Sequence, residues 1–65
     1  MGLSSRGQLE LLQLISSGLS NREIGDAMGM TESTVKWYLQ QVYDKLGVRR
    51  RHLALDKAQR IGLIA

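Results

Sequence analysis

Apolar residues recur along the chain in clusters at helical spacing, and glycines or small polar residues punctuate them. Leu11, Leu12, Leu14 and Ile15 form the stripe of a first helix, predicted from Arg6 to Ser16. Ser5 stands before it as N-cap with Gln8 three residues on, the spacing of a capping box, and Gly18 follows as a left-handed stop. A second helix is predicted from Asn21 to Met28, with Ser20 and Glu23 as another capping box and Leu19 stapled to Ile24. Gly29 breaks it. A third opens on Thr31 as N-cap, repeats the staple with Met30 and Val35, and runs to Leu46, where Gly47 stops it. A fourth is predicted from His52 to Ile61, ahead of Gly62, with no side-chain cap among the arginines at its entry. The pattern predicts an all-α domain without repeats, linkers or low-complexity stretches.

The second and third helices are joined by very few residues, Gly29 among them, so they must cross steeply. Gly25 sits inside the short second helix, where glycine costs roughly 1 kcal/mol against alanine. Close approach to the third helix is a packing reason for keeping it. The hairpin alone fits two architectures: a helical pair that completes a bundle, and a helix-turn-helix.

The outer face of the third helix separates them. At roughly 100° per residue, Val35, Leu39, Val42 and Leu46 gather on one stripe, the core side. Lys36, Trp37, Gln40, Gln41 and Asp44 then lie across the remaining surface, with Tyr38 and Tyr43 on the flanks. Lysine can donate to guanine, glutamine can bond adenine bidentately, and an indole can press on a thymine methyl or a sugar. Trp37 has two readings: folded over a neighbouring helix, or standing on a groove-facing surface. The starts of the second and third helices present free N–H groups beside Asn21, Arg22, Ser33 and Thr34, a phosphate-binding chemistry to which Lys45, Arg49 and Arg51 add charge. Each arginine taken singly fits a solvated surface position equally well.

Charge is unevenly spread. Residues 1–35 carry Arg6 and Arg22 against Glu10, Glu23, Asp26 and Glu32, whereas residues 36–65 carry seven of the nine basic residues against Asp44 and Asp56. The net charge of +3 therefore arises in the second half, which suggests a face for a polyanion. With 65 residues and no cysteine, the chain makes one small domain held by helix packing, or by dimer or ligand contacts. His52 is the single histidine, no carboxylates pair at catalytic spacing, and no glycine-rich phosphate loop occurs, so catalysis and a bound metal are not expected. No apolar run reaches membrane-spanning length. Met1-Gly2 has the look of an added start, which makes a longer natural chain the expectation.

On the fourth helix, Ala54, Ala58 and Ile61 share the stripe expected to face the core, leaving Leu53, Asp56, Lys57 and Arg60 opposite. Leu53 is there either a lone exposed leucine, which is common, or the seat of a contact with a second copy.

Two segments resemble a known family in the right order and spacing. Gly18-Leu19-Ser20-Asn21-Arg22-Glu23-Ile24-Gly25 is similar to its "GLSNKEIA" stretch. Thr31-Glu32-Ser33-Thr34-Val35-Lys36, followed by Lys45-Leu46-Gly47-Val48-Arg49, is similar to its "SEGTVKxH…KLGVxxR" signature. Both belong to the LuxR-type (GerE-type) helix-turn-helix of bacterial transcription regulators, and the resemblance runs from about Ser5 to Leu63. It implies a four-helix domain at the carboxyl end of a longer cytoplasmic, nucleoid-associated regulator, behind a sensor or receiver domain. The third helix, about 32–46, is then the recognition helix in the major groove, with base contacts from Lys36, Trp37 and Gln40. Asn21, Thr34 and Lys45 would serve phosphates, and the fourth helix would pair two domains. The partners implied are double-stranded DNA, a second copy held weakly on DNA, and RNA polymerase, with no membrane and no cofactor.

The chain departs from the family pattern at Gln8, where an acidic residue is usual, at Tyr38 for histidine, and at Arg50 for the polar cap of the fourth helix. The stretch Trp37 to Tyr43 resembles that of the large ATP-dependent MalT-like regulators. Two rivals share part of the pattern. A promoter-reading helix-turn-helix of the sigma-factor class would act within a polymerase assembly, and the "GLSNREIG" and "KLGV" matches argue against it. A protein-docking module need not show the steep salt dependence that phosphate neutralisation imposes.

Overall fold

The computed structural model describes residues 4–65, in which four helices follow one another: α1 (Ser5–Ser16), α2 (Asn21–Met28), α3 (Glu32–Leu46) and α4 (Arg51–Arg60). No strand occurs among the described residues. All four predicted helices are present, and the ends of α1 and α4 shift by one residue. At α1 the cap is Ser4 and not Ser5: its backbone is extended and its hydroxyl accepts from the Gly7 N–H at 3.1 Å. The helix starts one residue early, which moves Gln8 beyond the position that closes a capping box. Its Oε1 accepts instead from the Lys45 ammonium at 3.2 Å, tying α1 to α3.

The other caps follow the pattern. Ser20 and Glu23 form the full box at α2: the Ser20 N–H donates to Glu23 Oε1 at 2.9 Å, and the Glu23 N–H donates to the Ser20 hydroxyl at 3.2 Å. The Glu23 carboxyl is held below its ordinary value, chiefly by the Ser20 N–H and further by the Ser20 hydroxyl. Thr31 caps α3 through the Thr34 N–H at 3.1 Å. Arg50 opens α4 with an extended backbone and no side-chain cap bond, as its residue type dictates.

The turn between α2 and α3 depends on Gly29, whose φ of 70° lies in the left-handed region, and on Gly25. Gly25 is buried, its carbonyl accepts the Met30 N–H at 2.9 Å, and a Cβ at this position would lie 2.5 Å from the Met30 carbonyl oxygen. The close approach is thus to the backbone of the turn.

One core joins the helices. Leu11, Leu12 and Ile15 of α1, Ile24 of α2, and Val35, Leu39, Val42 and Leu46 of α3 are buried together with Ala54 and Ala58 of α4. Leu11, Ile24 and Val35 are fully enclosed, each contributing about 1.5–3 kcal/mol by leaving water. Tyr43, expected on a flank, is buried, because it continues the i, i+4 row begun by Val35 and Leu39. The stripe of α4 also ends differently. Ile61 is 57% exposed, since the helix stops at Arg60 and Gly62, at φ 80°, turns the chain back. Ile64 enters the core in its place at 8% exposure, with the Leu63 N–H on the Ala58 carbonyl at 2.8 Å.

Candidate nucleic-acid interface

With its apolar stripe inward, α3 presents Lys36, Trp37, Gln40, Gln41 and Asp44 to solvent. Trp37 is 52% exposed, and its ring meets the half-buried Tyr38 edge-on, centroids 5.1 Å apart and planes at 72°. Trp37 thus stands on the surface and not in the core. The tyrosine edge gives the indole a fixed neighbour, while the chain's largest apolar side chain stays on the surface of a helix whose core side is already full.

Glu32, Lys36, Leu39, Gln40 and Tyr43 of α3 line a shallow groove of about 550 Å³. Ser20 and Asn21 at the start of α2 and Arg51 at the start of α4 complete its lining. The groove therefore brings two expected base-contact residues next to the expected phosphate residue Asn21. Its polar wall is built by caps: Ser20 is fixed by its reciprocal bonds with Glu23, and Asn21 is the first residue of α2.

Of the remaining expected phosphate residues, only Arg51 lines this groove. Arg22, Ser33 and Arg49 are exposed, and Thr34 is half-buried. The Thr34 hydroxyl accepts from the Thr31 hydroxyl at 2.9 Å, which leaves its own proton available to an acceptor. Lys45 is exposed near the far end of α3, with its ammonium on Gln8. Arg51 differs from the other cations. It is half-buried, and its guanidinium donates to the Leu19 carbonyl at 3.4 Å and to Asn21 Oδ1. Arg51 is the position that falls on the arginine of the "KLGVxxR" signature, the one mark in the sequence that separates it from Arg49 and Arg50.

On α4, Leu53, Asp56 and Arg60 lie on the outer face, Leu53 at 41% exposure and Asp56 paired with Arg60 at 3.3 Å. Lys57, on the same stripe, is half-buried, and its ammonium donates to the Leu46 carbonyl at 2.6 Å. His52 is exposed, and no group of three or more metal-binding side chains occurs among the described residues. Among the described residues, no helix is long and apolar enough to cross a membrane.

A four-helix domain with so short a connection between α2 and α3 has the arrangement of a helix-turn-helix. Residues 1–58 match the family model described as "Bacterial regulatory proteins, luxR family". The chain belongs to that family. It is 40% identical over 57 residues to the HTH-type transcriptional regulator AlkS of Alcanivorax borkumensis, covering 88% of this chain and 6% of that protein. To the HTH-type transcriptional regulator MalT of Yersinia pestis it is 38% identical over 52 residues, covering 80% of this chain and again 6% of that protein. Among solved structures it superposes on the response regulator ChrA of a heme-sensing two-component system with a TM-score of 0.86 and 41% identity. That match takes in 98% of this chain and 31% of the other.

Proposed function

We propose that this chain is the double-stranded DNA-binding output domain of a transcription regulator, with the outer face of α3 in the major groove. The observation that carries the reading is the placement of Trp37, Lys36 and Gln40. These three stand exposed on α3, and Lys36 and Gln40 share a groove with Ser20 and Asn21 at the start of α2. Lys36 and Gln40 read base edges, and Trp37 packs on a thymine methyl or a deoxyribose. Asn21, Arg22, Ser33, Thr34, Lys45 and Arg49 meet phosphates and fix the register. The relatives named as transcriptional regulators support this role, and a bacterial regulator of this kind works in the cytoplasm, on the nucleoid, with RNA polymerase as a further partner.

Two copies pair through the outer face of α4, with Leu53 at the centre and Asp56, Lys57 and Arg60 around it, and bind half-sites about one helical turn apart. The contact is weak without DNA, because a few residues of one short helix cover little area.

Selection of bound fragments from a random duplex pool, followed by two substitutions, tests the reading. Lys36→Ala relaxes base preference and costs about 1–3 kcal/mol on the selected duplex. Lys45→Ala weakens selected and random duplexes about equally. Equal losses of selectivity from both changes contradict the assignment.

A further inference from the structure

We infer that Arg51 is a positioning residue for DNA binding: it holds the Asn21 amide so that the Asn21 Nδ2 donors, and not the guanidinium, meet the phosphate. The inference rests on the proposed DNA-binding function and changes how one part of it works. Arg51 comes from the first turn of α4 and Asn21 from the first turn of α2, which are distant in sequence and meet at one wall of the groove. The guanidinium gives one arm to the Leu19 carbonyl, in the segment that leads into α2, and the other to Asn21 Oδ1. A planar fork that spans two acceptors has a fixed orientation, which an ammonium on a flexible stem cannot reproduce.

The chemistry of Asn21 follows. A carboxamide has an acceptor end and a donor end, and its orientation is set by the bonds it makes. With Oδ1 accepting from Arg51, the donor end of Asn21 is Nδ2, the end a phosphate oxygen requires. Were the amide reversed, Nδ2 would face a guanidinium that has no acceptor, and the phosphate would meet a carbonyl oxygen. Arg51 therefore selects the useful orientation. It also fixes the start of α2 to α4, the helix proposed to pair two copies, and so joins the pairing face to the phosphate contact.

The test uses a duplex recovered from a random pool and compares Arg51→Lys, Asn21→Ala and the double variant, each checked for folding by thermal melting. The lysine keeps the charge and loses the fork, so any loss of affinity reflects geometry. Asn21→Ala is expected to weaken binding about ten- to hundredfold, the effect of one hydrogen bond to a charged group. Arg51→Lys is expected to match that loss, the double variant to be no worse than either, and the same phosphate to drop out of an ethylation-interference pattern in all three. An Arg51→Lys variant that binds as the parent does, or a double variant whose loss is the product of the two, shows a direct phosphate contact and overturns the inference alone. Failure of the parent chain to select any duplex overturns the DNA-binding reading and this inference with it.

Discussion

The ammonium of Lys57 donates to the main-chain carbonyl of Leu46 at 2.6 Å, so a residue of α4 closes the C-terminal end of α3. The last carbonyls of a helix lack intrahelical partners and carry its negative dipole end, and a half-buried cation meets both needs. Lys57→Met keeps the aliphatic stem and removes the donor. It should lower the stability of the domain by about 1–2 kcal/mol, read from a urea unfolding curve. An unchanged midpoint would show that water replaces the contact without loss.

Gly25 is the second position where packing decides. A valine there places its Cβ against the Met30 carbonyl, a backbone atom that cannot swing aside as a side chain can. Gly25→Val should cost about 1–3 kcal/mol despite the better helix propensity of valine, because the turn must open to admit it. A midpoint equal to that of the parent would mean that α2 and α3 separate freely.

The capping box at α2 predicts a pH dependence with a definite sign. Glu23 has its carboxyl lowered from 4.5 by the Ser20 N–H and hydroxyl, so the folded state favours the carboxylate. Its contribution is complete above the ordinary glutamate range and is lost as the pH falls through the lowered value. Glu23→Gln retains an acceptor for the Ser20 N–H but no charge. Melting temperatures measured across the acid range should fall less steeply for the variant than for the parent, and parallel curves would remove Glu23 from the account.

Leu53 tests pairing separately from folding. Its side chain is exposed beside the Asp56–Arg60 pair, away from the fully buried Ala54 and Ala58. Leu53→Asp should therefore leave the unfolding midpoint within about 0.5 kcal/mol of the parent, as surface changes do. It should abolish cooperative binding to paired half-sites while sparing a single half-site. Unaltered cooperativity places the contact elsewhere.

Most of the fold is legible in the sequence because each helix carries its own start and stop. Ser20 with Glu23, Thr31, Gly29 and Gly47 each act through local bonds that need no tertiary partner. The row of apolar residues on α3 likewise gives the core side directly. What the pattern misses is set by partners distant in the chain. Ser4 and Ser5 are equal as caps until the helix end is fixed. Ile61 and Ile64 are equal as core residues until Gly62 turns the chain. The same holds for the cations: the signature marks Arg51 apart from Arg49, but its inward turn is set by Leu19 and Asn21, both distant in the chain. Tyr43 is the exception, because its spacing from Val35 and Leu39 already marks it as a core residue.

The central claim, that the outer face of α3 meets duplex DNA, is tested most directly through Trp37, the only tryptophan in the chain. At 52% exposure its emission in the free domain should be water-like and readily quenched by iodide. Titration with a duplex selected from a random pool should shield it, with quenching falling in proportion to the bound fraction. Trp37→Ala should weaken binding to that duplex while shifting the unfolding midpoint little, because the core does not depend on the ring. Iodide access that stays unchanged at saturation with bound duplex would contradict the claim and move the interface off this face.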